Sequence, residues 1–248
     1  MNRQLIVLLT AWCIGAAIRL SAAPFQDLDF EQATIHSPPA NYVPNGNAIG
    51  LNPISAAAAF PFWTAQEDST ICTAVWGGGG ALDETSVALL DASGFPKPID
   101  GNYSLELSAY ADAPSGSGLY KASSISQTGD IPANAKSILI LLRGVGPPAN
   151  VRDVPTVTIN GNVINMITLS SSSGVMTMAG DVSAFAGTSA QFTIQAAGVS
   201  GQGTFLAEDY IDIDDISFSP NPVPEPGAVC LALGCVGVVL LRFRRNAA

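Results

Sequence analysis

The sequence has 248 residues, with 20 acidic against 10 basic side chains and one histidine, which gives one sizeable domain and few general bases. Charged residues make up 12 % and hydrophobic residues 48 %, which opposes intrinsic disorder, while 24 Gly and 17 Pro exclude a helical bundle and point to short strands joined by turns. All 20 acidic groups but only five of the basic ones lie between residues 24 and 226, so that stretch carries −15 and repels nucleic acid and anionic lipid.

Residues 1–23 open with Arg3, continue through the apolar run Leu5 to Ile18 and finish on Ser21, Ala22 and Ala23. This is the layout of a helical secretory signal peptide, the substrate of signal peptidase. Strand signals then recur across residues 24–219, at Phe30 to Ile35, Thr70 to Trp76, Ser86 to Leu90, Tyr103 to Ala109, Lys121 to Gln127 and Ser137 to Arg143. Ile54 to Phe60 suits one short turn of helix, and the unbroken apolar run Ile138 to Leu142 suits a central strand covered on both faces. The segment Thr158 to Ile164 reads as a hairpin, because Asn160-Gly161 accepts positive φ at both centres of a type I′ turn. Gln191 to Ala196 and Tyr210 to Ser219 complete the series. Many short strands without alternating helices predict an all-β, antiparallel sandwich. Gly77 to Gly80 lacks the Lys-Ser/Thr ending of a phosphate-binding loop and reads as a hairpin connection.

Cys72 is the one cysteine of the exported stretch, so no internal disulfide forms there; it reads as a buried strand residue. Catalysis finds little support. A Ser-His-Asp triad would have to use His36, close to Pro38 and Pro39, and no serine sits in a Gly-x-Ser-x-Gly elbow. Twenty acids leave a glycosidase carboxylate pair open without singling one out. Tyr42, Trp63, Trp76, Tyr110 and Tyr120 are either packing residues or a platform on which sugars stack.

Residues 220–226 form a Pro-rich linker ending in Pro224, Glu225 and Pro226. Residues 227–241 are uncharged and apolar, and residues 242–248 begin with Arg242, Phe243, Arg244 and Arg245. As a helix the apolar segment reaches roughly 22 Å, a short transmembrane span for a core of roughly 30 Å whose basic tail stays cytoplasmic. Together with the signal peptide, this order resembles the PEP-CTERM sorting signal of exported proteins in Gram-negative bacteria that make exopolysaccharide. The resemblance implies recognition by a membrane-embedded exosortase and cutting near the Pro-Glu-Pro. It also implies an inner-membrane-anchored precursor, destined for the cell surface or the extracellular matrix.

Asp29-Phe30-Glu31 and the final run Ile211 to Phe218, with Ile99 to Leu105 and Ile125 to Pro132 between them, resemble the galactose-binding-like jelly rolls. That resemblance implies neighbouring first and last strands and a structural calcium held by Glu31 with Asp214 or Asp215. Glu208, Asp209, Asp212, Asp214 and Asp215 place five carboxylates within eight residues, which like-charge repulsion tolerates on a solvated edge or around a cation. Asp212 and Asp214 share one strand face, Ile211 and Ile213 the other; the apolar phase breaks at Asp214-Asp215, where a bulge would aim carboxylates together. The spacing is not that of an EF-hand, and His36 alone makes no zinc site. The expected protein is an exported, non-catalytic binding or structural module, possible calcium included, with exopolysaccharide as the implied ligand; a secreted carbohydrate-active enzyme is the alternative.

Overall fold

The structure, a computed structural model, describes residues 22–38, 52–79, 86–111, 120–145, 154–196 and 208–224. The chain is all-β. Its strands are β1 (Asn52–Ser55), β2 (Thr64–Glu67), β3 (Thr70–Ile71), β4 (Ala74–Gly77), β5 (Val87–Leu90), β6 (Ser104–Ala111) and β7 (Tyr120–Asp130). They continue as β8 (Ser137–Val145), β9 (Thr156–Ile159), β10 (Asn162–Val163), β11 (Met166–Ser172), β12 (Val175–Asp181), β13 (Ser189–Gln195) and β14 (Glu208–Ser219). One helical turn, α1 (Ala56–Ala59), follows β1 at the predicted place.

The main sheet path runs β10-β9-β13-β7-β6-β14-β8-β12-β11, with β5, β4 and β1 branching from β6 and with β2 and β3 beside β7. The long β7 curls the sheet. Its first residues pair with β6, and from Ser123 onward it pairs with β13 and β2. Strand alternation then sends one face of each part inward: Leu105, Leu107 and Ala109 of β6, Ile138, Ile140 and Leu142 of β8, Ile211 and Ile213 of β14, and Phe192 and Ile194 of β13 join a single core. Each of the Leu, Ile and Phe side chains among them contributes about 2 kcal/mol by leaving water. An aromatic group closes one end, with Phe30 5.7 Å from Trp63 and 5.9 Å from Phe60.

The Asn160-Gly161 hairpin forms as expected, with φ of 49° and 76° at the two turn residues. Several expectations fail for identifiable reasons. Phe30 to Ile35 is not a strand but a turn followed by irregular chain; Asp27 and Phe30 take positive φ so that the Phe30 ring is fully buried and the Asp27 carboxylate accepts from the Gln32 amide at 2.8 Å. Thr70 to Trp76 divides at Cys72-Thr73 into β3 and β4. The glycines after β4 do not lead into a hairpin, because β4 and β5 pair in parallel. β8 is central but covered on one face only: Leu139 and Leu141 are half-buried on the other. The strands β1, β2, β11 and β12, rich in Ala, Ser, Thr and Met, gave no clear alternation.

Candidate functional site

β14 is not a solvated edge. It lies between β6 and β8, so the carboxylates on its outer face are enclosed: Asp212 is 0 % and Asp214 2 % exposed. Asp214 stands opposite Leu141 and Ser217 opposite Leu139, so two residues of β14, Asp215 and Ile216, answer the single Ile140. This bulge, with Asp215 at φ 45°, is where the apolar phase of the sequence broke. It returns Ile216 to the core and leaves Asp215 in solvent. The Ile216 amide is satisfied by the Leu28 carbonyl at 3.0 Å.

Asp212 pairs in register with Glu106 on one side and Arg143 on the other. Arg143 donates from both Nε and Nη2 to the same oxygen, Oδ2, at 2.8 Å. The other oxygen, Oδ1, is buried with no donor. Burial pushes the Asp212 carboxyl up, against the opposing pull of Arg143 and of its hydrogen bond with Glu106. Glu106 is itself 3 % exposed, so two enclosed carboxyls stand side by side here with one arginine. Arg143 Nη2 also donates to the Lys97 carbonyl, which ties the segment between β5 and β6 over this face.

The same segment is gripped twice more. Asp214 Oδ2 accepts from the Asp100 amide at 3.1 Å and from Ser104 Oγ at 2.7 Å, while its Oδ1 accepts from the Asp215 amide. Burial raises Asp214 to about 6 in spite of these bonds. Glu31 Oε1 accepts from the Asn102 and Tyr103 amides at 2.7 and 3.0 Å, and Oε2 accepts from Asn102 Nδ2 at 2.8 Å. Burial acts upward on Glu31 too, but these bonds outweigh it and hold the carboxylate below its ordinary value. The close approach requires Gly101, at φ 57°, where a Cβ would lie 2.1 Å from Glu31 Oε1.

Of the three residues expected to hold calcium, Glu31 and Asp214 therefore clamp one turn, residues 99–104, and Asp215 stands exposed beside it. Desolvation first, then the charges of Asp100, Asp29 and Glu31, raise Asp215. The oxygen chemistry suits calcium, and Glu31 Oε2 and Asp214 Oδ1, with one hydrogen bond each, retain a lone pair. Among the described residues no group of three or more His, Cys, Asp or Glu is arranged to hold a metal ion. Asp27, 5 % exposed, adds a further buried carboxyl: burial raises it to about 6 and its Oδ2 has no partner.

Other candidates resolve individually. His36 is exposed and only its carbonyl is engaged, accepting from the Ser55 amide at 2.9 Å. Burial pushes the half-buried Cys72 thiol up to about 12, so it stays protonated at neutral pH. Trp63 and Trp76 are buried, and Trp63 Nε1 donates to the Asp27 carbonyl at 3.0 Å, which makes them packing residues. Tyr42 and the side chains of Tyr110, Tyr120, Glu208 and Asp209 lie outside the described residues, as do residues 1–21 and everything after Pro224, including Glu225, Pro226, Arg242, Arg244 and Arg245. Among the described residues no helix is long and apolar enough to cross a membrane.

The sequence reading missed Asp27, Glu106 and Arg143. The available signal was Glu106 set between Leu105 and Leu107, and Arg143 closing the apolar run of β8: charges in strands that are otherwise core. Comparison of the chain with family models, with curated proteins and with solved structures found no match.

Proposed function

We propose that the chain is an exported surface protein, sorted through its PEP-CTERM-like tail by an exosortase and retained at the cell envelope or in the extracellular matrix of a Gram-negative bacterium. On this reading the domain is a jelly-roll sandwich of the galactose-binding-like kind that binds or scaffolds exopolysaccharide without catalysis. The observation that carries it is the succession at the carboxyl end. The last described strand stops at Ser219, Pro224-Glu225-Pro226 follows within seven residues, and then come fifteen apolar residues and the arginines. A β-domain delivered outside the cell and joined to such a tail needs an address more than an active site. The protonated Cys72 and the lone exposed His36 fit a binding module. A secreted carbohydrate-active enzyme finds its one favouring observation in the Glu106–Asp212 pair. Those carboxyls touch each other, however, whereas glycosidases hold theirs roughly 5–9.5 Å apart.

A structural calcium is the second part of the reading. It is favoured by the convergence of Asp29, Glu31, Asp100 and Asp215 on one turn, with Glu31, Asp214 and Asp215 as the residues that would hold it.

The decisive experiment is intact mass spectrometry of the protein from envelope and medium, which reports both terminal cleavages. Replacing Pro224, Glu225 and Pro226 by Ala should leave the chain full-length in the inner membrane. Equal release of variant and parent would reduce the tail to a plain anchor. Release of reducing sugar from polysaccharide, lost on changing a carboxylate, would move the protein to the enzyme class.

A further inference from the structure

At the β14 bulge lies a shallow, open cleft of about 360 Å³, lined by Leu139, Ile140, Leu141, Thr177, Asp215, Ile216 and Ser217. Leu139 and Leu141 are the half-buried residues of β8, Thr177 stands opposite Leu141 in register, and Asp215 and Ser217 are exposed on the bulged side. Its size falls in the lower part of the range of about 300–1,000 Å³ that small-ligand clefts occupy.

What fits is decided by which groups are still available. β8 is hydrogen-bonded to β14 on one side and β12 on the other. At the bulge, the Asp215 amide donates to Asp214 Oδ1 and the Ile216 amide to the Leu28 carbonyl. An extended peptide would find both flanks of β8 taken by neighbouring strands and the two bulge amides already donated. Binding falls to side chains: two leucines, two hydroxyls and one carboxylate. That set matches a sugar ring, whose C–H face covers leucine while its hydroxyls pair with Thr177 and Ser217. Asp215 is the one charged residue of the lining, and Asp29, Glu31 and Asp100 add their charge to it. In a stretch that carries −15, this end of the cleft excludes uronates and sulfated sugars and attracts a cation.

We infer that the cleft takes a segment of polysaccharide bearing free amino groups, with the sugar ring over Leu139 and Leu141 and its ammonium on Asp215. The inference rests on the polysaccharide part of the proposed function, names the sugar class and applies to the calcium-free site, because calcium and an ammonium would compete for Asp215.

The test is retention of the full-length chain, in the presence of chelator, on chitosan, on a neutral β-glucan and on alginate. Chitosan should retain it, glucan less and alginate not at all. Thr177→Arg, which fills the cleft and repels an amine, and Asp215→Asn, which suits the positive φ and removes the charge, should each weaken retention about tenfold, the effect of one lost charge-assisted contact. Thr177→Ser should keep it. Asp68→Asn removes one exposed acid elsewhere and controls for adsorption by bulk charge. Equal retention on chitosan and glucan, preference for alginate, unchanged retention in either cleft variant, or an equal loss in Asp68→Asn would each overturn the assignment. Melting points show that the variants remain folded. A chain that binds no polysaccharide, yet is processed at its tail as the mass measurement requires, would sink the sugar site and leave the sorting reading standing.

Discussion

Raising the pH from about 4 to 8 should remove a contribution that the Asp27 carboxyl makes to the stability of this domain. This carboxyl is 5 % exposed, has one oxygen on the Gln32 amide and the other on nothing, and is raised from the ordinary value of 3.8 to about 6. Below 3.8 the folded and unfolded chains both carry the proton. Between 3.8 and 6 the folded chain keeps a proton that the unfolded chain has lost, so stability falls as pH rises through this window and the loss is complete above about 6. A difference of about two units amounts to at most about 3 kcal/mol for this one group. That is a large share of the roughly 5–15 kcal/mol that holds a domain together. Asp27→Asn carries the neutral form at every pH and keeps an oxygen for Gln32. Urea unfolding of parent and variant at pH 4.5 and 8 should therefore show a smaller pH-dependent loss in the variant, by up to that amount, with the variant the more stable protein at pH 8. An unchanged pH dependence, or a variant less stable at pH 8, would refute the reasoning.

Other consequences can be checked on the same protein. Arg143→Met leaves Asp212 and Glu106 without a cation and should cost about 3–5 kcal/mol in urea unfolding at neutral pH; adding Asp212→Asn should recover part of that loss. Gly94→Ala puts a Cβ 2.0 Å from the Gly78 carbonyl oxygen, and the forced shift should cost about 1–3 kcal/mol of thermal stability. If Glu31, Asp214 and Asp215 hold calcium, calcium at about 100 times its Kd adds about 2.7 kcal/mol. Chelator should then lower the melting point of the parent and not of Asp215→Ala. A parent indifferent to chelator means that no metal is bound.

Most of the strands were legible because the alternation of Leu105 and Leu107, of Ile138, Ile140 and Leu142, and of Phe192 and Ile194 needs only one buried face to declare itself. The position of the bulge was legible too: an apolar phase that slips by one residue at Asp214-Asp215 can stay inside only if the strand takes an extra residue there. What sequence could not give was partnership. Phe30 to Ile35 has the composition of a strand, and it becomes a turn because the Phe30 ring finds Phe60 and Trp63, contacts made far along the chain. The acidic run read as a solvated edge or a cation site because its neighbours were invisible. Once β6 and β8 flank β14, Asp212 and Asp214 become enclosed groups that pair with Arg143 or accept from the Asp100 amide and Ser104. Likewise the cleft needs Leu139, Leu141, Thr177 and Ser217, which no local pattern links.

The position of β14 also orders events in time. It is the last of the described strands, yet it fills the gap between β6 and β8. For a chain threaded through a membrane with its amino end leading, both neighbours stand with raw hydrogen-bonding edges until residues beyond 207 have emerged. Assembly of the barrier that shields the core thus waits for nearly the whole polypeptide, and the segment that completes it ends five residues before Pro224. Closure of the sheet and arrival of the tail at the bilayer become neighbouring steps, so that a chain halted before residue 208 exposes two adhesive edges instead of a finished fold.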